Sequence, residues 1–530
     1  MAKVNYKTGR LKALGALVVI GLLVFGAFKL GYIGDISLGG ESGNSTSEGF
    51  EALPKGTPVL SVALCSWPIF AGGPVFNEGF KPNANSRFYK DYGFGVDFKI
   101  IDDFQASRDA LTNGDVDILW GTLDSYPVEA EGLLQSGVRC YAQTDWSRGG
   151  DICVVYNDVG IKSANDFKGK TIAVATMTPS HSMLLQLLRA SGMKPGDVDI
   201  LPVDNPEAAA NAFIDEIVDI AFVWDPFQYA CIEAAKANGR TASILTSTAV
   251  MANSIPAVWY AKESVVEQKE QMFIDLFTGW LTANAEINSD PSQFNKAVEL
   301  NFYNIGLYGE DPNDMSAARE AMNLGRFVTV QDNANFFGIN ASHKGVKAKD
   351  LYTEMGNLYV EAGEIDNFPR WEKVYDSRIV KAVSQRLTGS IHAAENEIIH
   401  DEAPIQYADV SQVAPVSSKS VSIYFNTNQS GLDPNAKMIL NSEFKLEATT
   451  NTGAYIRIVG NTDNTGPSEL NKRLSKQRAQ SVADYMVNSW GVDRNRIIVV
   501  GNGPERAIQD GVSGANDMYR RTDFEIVTGK

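Results

Sequence analysis

Two stretches of the chain repeat one theme: ALTNGDVDILWGTLD (110–124) and AFIDEIVDIAFVWDPF (212–227). Each reads as a helix end, a Val-Asp pair opening a short apolar strand, and then a Trp and an acid at the strand's far end. Such units assemble into α/β layers and present ligand-facing side chains outside the carboxyl ends of their strands. Trp120, Asp124, Trp224 and Asp225 become candidate binding residues on that ground, and Trp67 in LCSWPIF (64–70) follows a first strand in the same manner. A Trp also serves as core, and an Asp before Pro226 also starts a turn.

Between the two repeats, DFKGKTIAVATMTPSHSMLLQLLRASGMKPGDVDILPVD (166–204) reads strand, polar turn, helix, turn, strand. The helix is expected to begin at or just after Ser180, with Thr178, Pro179 and Ser180 as its cap region and His181 as a capping, surface or cleft residue. A helix start facing a cleft attracts an anion through its free N–H groups and its dipole. Three Trp residues with Asp124 and Asp225 suit a cation instead. A small anionic ligand is the favoured expectation and a cation its alternative.

With DFKGKTIAV and VWDPF as the carrying motifs, this region resembles the type II periplasmic solute-binding proteins, most of all the nitrate, sulfonate, taurine and thiamine-pyrimidine group. The resemblance runs from about Pro58 to Asn288 and more loosely beyond. It implies two α/β lobes joined by crossing strands that close on a small ligand. Residues 263–395 read as mainly helical, with QMFIDLFTGWLTANAEI and AKDLYTEMGNLYVEAGEI as amphipathic runs, whereas QDNANFFGINASH (331–343) reads as a loop. Cys140 and Cys153 flank an expected hairpin, so a disulfide or free buried thiols both fit; Cys65 and Cys231 complete the set.

Farther on, VSIYFNTNQ (421–429) alternates Val421, Ile423 and Phe425 to one side, as a half-buried strand does. NAKMILNSEFKLEATT predicts a helix, AYIRIVG a strand, ELNKRLSKQRAQSVADYMVNSW a long helix, and RIIVVGNG and RRTDFEIV two further strands: an α/β sandwich. Leu470, Leu474, Arg478 and Val482 recur at four-residue steps on one helix face. An arginine in an apolar stripe needs an anion. Asp463, leaving a strand beside the helix start, either forms a salt bridge that pins the turn or is half of a binding site.

The whole span GNTDNTGPSELNKRLSKQRAQSV (460–482) resembles the OmpA-like peptidoglycan-binding signature GHTDxxGxxxxNxxLSxxRAxxV, and the resemblance extends from about Val421 to Val527. It implies that Asp463 and Arg478 clasp the carboxylate and amine of diaminopimelate in a peptidoglycan stem peptide. Thr462, Asn464 and Asn471 would line the same pocket, and Arg521 in YRRTDFEI corresponds to the family's late arginines. Asn461 stands where the family has His, and Tyr519 where it has Asn. The chemistry is sound in itself, because a zwitterionic end needs one anionic and one forked cationic partner.

At the amino terminus, Lys3, Lys7, Arg10 and Lys12 precede ALGALVVIGLLVFGAF (13–28). With LGYI beyond a snorkelling Lys29, the run approaches the roughly 20 residues of a membrane span. The basic flank places residues 1–12 in the cytoplasm and the bulk of the chain in the periplasm. A cleaved signal peptide shares this pattern, but no small-x-small site follows. The run holds no Asp or Glu, which argues against a proton-relaying stator subunit.

The organisation expected is a transmembrane anchor (13–33), a linker (34–57), a two-lobed solute-binding domain (58–395), a second linker (396–420) and an OmpA-like α/β sandwich (421–530). A net charge of -17 without basic clusters argues against nucleic acid as a partner. The sequence carries no GxSxG elbow, Walker loop, HExxH or Cys/His metal spacing, so neither an enzyme nor a cofactor is expected. The reading is a single-pass inner-membrane protein that binds a small solute and peptidoglycan, as a receptor for a transporter permease or as a wall-linked sensor. The alternative is a structural membrane-to-wall tether whose middle domain is a protein-interaction module.

Overall fold

In the computed structural model, which describes residues 51–392, 413–423, 425 and 429–528, the repeated theme folds twice into one local structure. Helices Phe104–Asn113 and Pro206–Ile214 each lead into a left-handed residue, Gly114 at φ 84° and Glu216 at φ 57°. The Val-Asp pairs follow: Asp117 accepts the Ser61 N–H at 3.0 Å, and Asp219 accepts the Thr171 N–H at 3.1 Å. Each carboxylate ties the start of its strand to the strand beside it. Counted from these pairs, Trp120 matches Phe222 and Trp224 matches Thr122. The two Trp residues therefore sit two positions apart, which in a strand is the same face.

Strands β1 (Val59–Leu64), β2 (Gly95–Ile100), β3 (Ile118–Thr122) and β4 (Val138–Ser147) begin the first sheet. The chain crosses at 148–150 into a second sheet of β5 (Asp151–Tyr156), β6 (Thr171–Ala175), β7 (Asp199–Val203), β8 (Ile220–Trp224) and β9 (Ala242–Ser247). It returns through 248–255 and adds β10 (Pro256–Lys262) and β11 (Gly325–Phe327) to the first. The orders are β11-β4-β10-β3-β1-β2 and β7-β6-β8-β5-β9. In each sheet three neighbouring strands run parallel and the strands around the crossovers pair antiparallel. This topology matches the two crossed α/β lobes expected of the middle region.

Helix α1 (Pro179–Ala190) packs its Met183, Leu184, Leu187 and Leu188 into the second lobe's core. Helix α2 (Ala348–Ala362) buries Leu351, Tyr352, Met355 and Tyr359 in the first lobe's core. Where 331–343 was expected to be a loop, a helix spans Val330–Phe336. Thr329 and Asp332 close its start by reciprocal bonds, a capping box legible as Thr-x-x-Asp.

The third sheet is ordered β12-β15-β13-β14 from β12 (Ser417–Val421), β13 (Tyr455–Asn461), β14 (Ile497–Gly503) and β15 (Thr522–Val527). Its first strand lies earlier than the expected 421–429, although Val421 and Ile423 are buried as foreseen. The single helix expected over NAKMILNSEFKLEATT breaks at Phe444 into Pro434–Glu443 and α3 (Lys445–Thr450).

Helix α4 (Ser468–Tyr485) buries Asn471, Ser475, Arg478, Ala479 and Val482, while Leu470 is exposed. The stripe is displaced because α4 lies directly on glycines: a Cβ at Gly460 would stand 2.2 Å from the Ser475 carbonyl oxygen, and one at Gly503 2.9 Å from the Lys472 nitrogen. Only small side chains fit such an approach.

All four cysteines are free thiols. Cys140 and Cys153 lie on strands of different sheets, not on one hairpin. No helix among the described residues is long and apolar enough to cross a membrane, and the anchor expected over 13–33 lies outside them.

Candidate functional site

Side chains from the carboxyl ends of β1, β3 and β8 meet between the first two sheets, beside the start of α1. Trp67, just after β1, donates its Nε1–H to Asp145 at 2.9 Å. Its ring lies so close to the crossover that a Cβ at Gly150 would stand 2.3 Å from it. Phe104 bridges the lobes, its ring centroid 5.2 Å from Trp120 and 6.1 Å from Trp224. Trp120 is nearly buried, and its indole N–H reaches the Ile101 carbonyl at 3.4 Å. The Trp224 indole nitrogen is buried without a hydrogen-bond partner.

Asp124 is fully buried, and neither carboxylate oxygen makes a hydrogen bond of normal geometry. Burial pushes its carboxyl up to about 7, with the Ser182 and Thr122 hydroxyls opposing that shift. Burial likewise raises Asp145 to about 7 and Asp151 to about 6. These two are held within the protein, Asp145 by Trp67 and Thr144 and Asp151 by the Ser147 hydroxyl at 2.6 Å. Asp225 is also engaged internally, accepting the Gln228 amide at 2.7 Å in the turn that leads into the next helix.

On the opposite wall, α1 begins after Thr178, whose hydroxyl donates to the Ala175 carbonyl at 2.7 Å instead of capping the helix. The Ser180 hydroxyl is buried without a partner. His181 accepts the Met177 N–H on Nδ1 at 3.1 Å, and burial lowers its pKa to about 4, so it is neutral. It supports the loop ahead of α1, where Met177 holds φ 62°. The structure thus brings Asp124 to the first turn of α1 and gathers Trp120 and Trp224 around Phe104. Asp225 and His181 are occupied in local structure.

Sequence reasoning passed over Phe104, Asp145 and Tyr359. Tyr359 of α2 shares a 2.7 Å hydroxyl contact with Ser182 and so joins the lobes. Phe104 follows IDDF, whose acids read as a solvated loop end; Tyr359 belongs to an amphipathic stripe without distinguishing pattern.

In the third sheet, Asp463 leaves β13 and is nearly buried. It accepts Arg520 Nε at 2.7 Å and the backbone N–H groups of Thr465 at 3.2 Å and Asn516 at 3.3 Å. Burial opposes its charge, but the Thr465 and Arg520 bonds prevail and hold the carboxyl below the usual range. Arg478 lies with its guanidinium 4.8 Å over the Phe425 ring and its Nε–H on the Gln429 carbonyl at 3.2 Å. Burial and the neighbouring Arg520 lower its pKa, and Asp463 opposes them.

Among the described residues no ion pair joins Asp463 to Arg478; the Asp463 partner is Arg520. Arg478, Arg520 and Arg521 line one depression with Phe425, Gly460, Asn461 and Thr522. Arg521 turns its Nε toward Asp523 at 3.2 Å. The Thr462 hydroxyl is buried without a partner, Asn471 donates to the Thr465 carbonyl at 2.9 Å, and Asn464 bridges Gly514. Sequence reasoning chose Arg521 of the adjacent pair, whereas Arg520 contacts the turn.

Residues 424–521 match the OmpA family, and residues 147–293 match the NMT1/THI5 like family. Outer membrane protein Omp38 of Acinetobacter baumannii is 34% identical over 138 residues, 23% of this chain and 38% of that protein. The taurine-binding periplasmic protein of Escherichia coli K12 is 26% identical over 189 residues, 36% of this chain and 56% of that protein. The chain therefore spans less than two thirds of either relative. The crystal structure of the periplasmic aliphatic sulphonate binding protein SsuA from Escherichia coli aligns at a TM-score of 0.46 and 17% identity, covering 60% of this chain and 91% of that one. One chain thus joins a region that matches the NMT1/THI5 like family to an OmpA match nearer its C-terminal end.

Proposed function

We propose that this is an envelope protein that binds a small charged solute between its first two lobes and grips peptidoglycan through the third sheet. Asp124 carries the solute half of the reading. A buried carboxylate without a proper partner is costly. It faces the first turn of α1, where the Ser180 hydroxyl is also unpartnered. The helix start suits an anionic head and Asp124 a protonated amine a few ångströms away. An aminosulfonate or similar zwitterion fits that pairing, and the name of the taurine-binding relative agrees.

The wall half rests on Arg478. Its guanidinium is mostly buried near a hydrogen-bonded Asp463, and no carboxylate forms an ion pair with it among the described residues. A stem-peptide carboxylate on Arg478 with its ammonium on Asp463 completes both. On this reading 58–395 is the solute domain, 421–530 the wall domain and 13–33 the inner-membrane anchor. The solute passes to a permease or its presence is signalled, and no reaction is catalysed.

A thermal-shift screen of the full chain against taurine, isethionate, ethanesulfonate, nitrate and choline tests the solute half. A ligand at 100 times its dissociation constant stabilises the fold by roughly 2.7 kcal/mol. Taurine should raise the melting temperature and isethionate, which lacks the amine, should do so far less. A flat screen on folded protein would move the weight to a tether without solute.

A further inference from the structure

The third sheet is seated across the junction of the two lobes. Helix α1 begins at the cleft and carries Arg189 in its last turn, where the guanidinium is a three-way junction. Its Nη1 meets Glu354 of α2 at 2.9 Å, its Nη2 donates to the Ser442 carbonyl at 2.7 Å, and its Nε lies 3.1 Å from the buried Glu447 of α3. Lys445 of α3 adds an ion pair to Asp350 of α2 at 2.8 Å. On the second lobe, Ala164 N–H donates to the Val416 carbonyl at 2.7 Å, and Asn165 exchanges two 2.8 Å bonds with the Ser418 backbone.

The same domain touches the returning crossover. Asn253 N–H donates to the Thr450 carbonyl at 3.0 Å, and Gly453 N–H donates to the Val250 carbonyl at 3.1 Å. A Cβ at Gly453 would stand 1.8 Å from the Ala249 carbonyl oxygen, so the two backbones are in direct contact. Leu446 belongs to the first lobe's core, and Val250 packs against that of the third sheet. The crossovers at 148–150 and 248–255 are where a two-lobed protein hinges, because they are the strands' connections between the sheets. They are bound to each other, with Gly149 N–H on the Thr248 hydroxyl at 2.8 Å and Arg148 Nη2 on the Asn253 side chain at 3.3 Å.

We infer that the C-terminal domain is a clamp on the solute cleft: docked on the hinge, on the second lobe and on α2 of the first, it sets how far the lobes open. Opening displaces the Gly453 and Arg189 contacts, so lobe closure and docking are one equilibrium. A perturbation that acts on either acts on both, to the same extent. The inference goes beyond the proposed binding function, since it requires the two-lobed fold but no particular solute.

Gly453→Ala in the full chain tests it. Gly453 is outside the left-handed region, so alanine meets no strain from its own backbone angle; its obstacle is Ala249. Gly431→Ala is the control, because a Cβ there meets nothing within 4 Å. Amide exchange is followed at Gly149, Thr248 and Asn253, with exchange at Ile456 and Ile458 of β13 reporting that the C-terminal domain is folded. Gly453→Ala should accelerate exchange at these amides roughly tenfold or more and split off a separate melting transition for the C-terminal domain. Gly431→Ala should leave both unchanged. Asn165→Ala, which removes the two Ser418 bonds together with one bond to the Ser191 carbonyl inside the second lobe, should shift exchange in the same direction by less. Wild-type exchange in Gly453→Ala and Asn165→Ala would overturn the clamp, as would a wild-type chain whose C-terminal domain already melts independently.

Discussion

Replacing Asp124 with Asn should stabilise the empty protein above pH 7 while removing the proposed solute binding. Burial holds the Asp124 carboxyl at about 7 against an ordinary 3.8. A raised folded-state value means the folded chain holds the proton more tightly than the unfolded chain. The resulting stability is complete below about pH 4 and is lost as pH rises through 7. At roughly 1.4 kcal/mol per pKa unit, ionising Asp124 costs the fold up to roughly 4 kcal/mol by pH 8. Asn escapes that cost but leaves an amide with imperfect partners, a loss of roughly 1–3 kcal/mol. The net gain expected at pH 8 is about 1–3 kcal/mol. The fall in stability between pH 4 and 7 should become shallower, with Asp145 and Asp151 supplying what remains. Urea unfolding followed by Trp fluorescence at pH 5 and pH 8 measures both quantities. A variant no more stable than wild type at pH 8, with an unchanged pH dependence, would show that the carboxylate is satisfied without solute.

Asp463→Ala and Arg478→Ala should each abolish retention on diaminopimelate-type peptidoglycan with the fold intact by circular dichroism. Arg520→Ala should weaken retention less, because Asp463 keeps the Thr465 and Asn516 N–H groups. Undiminished pull-down of the first two would remove the clasp. The native chain should react slowly with a thiol reagent and release four equivalents on unfolding, since Cys140, Cys153 and Cys231 are buried and burial raises every thiol. Reductant should leave the melting temperature unchanged.

Much of the architecture was legible because period and punctuation agree in this chain. The Val-Asp repeats carried their own pins in Asp117 and Asp219, and the TD and RA pair marked the third sheet's turn and helix. Where the reading failed, the deciding contact lay far away in sequence. Leu470 looked like core by spacing, yet the close approach of Gly460 and Gly503 turns α4 so that Ser475 and Ala479 face inward. Asp225 and Asp124 looked alike as acids after a Trp, but Gln228 satisfies one and burial isolates the other. The segment 331–343 was misread although Thr329 and Asp332 announced a helix; its Asn and Gly content hid the capping box. The docking of the third sheet on the crossovers left no local trace beyond Gly453, whose need for hydrogen at Cα comes from Ala249 in the returning crossover.

If one molecule holds solute and wall together as proposed, radiolabelled taurine should co-sediment with purified peptidoglycan sacculi. Taurine should pellet only when the full chain is present, and should be lost with either Asp463→Ala, which leaves protein and solute in the supernatant, or Asp124→Asn, which pellets without solute. Protein that pellets with the sacculi while wild-type chain carries no taurine with it would contradict the claim.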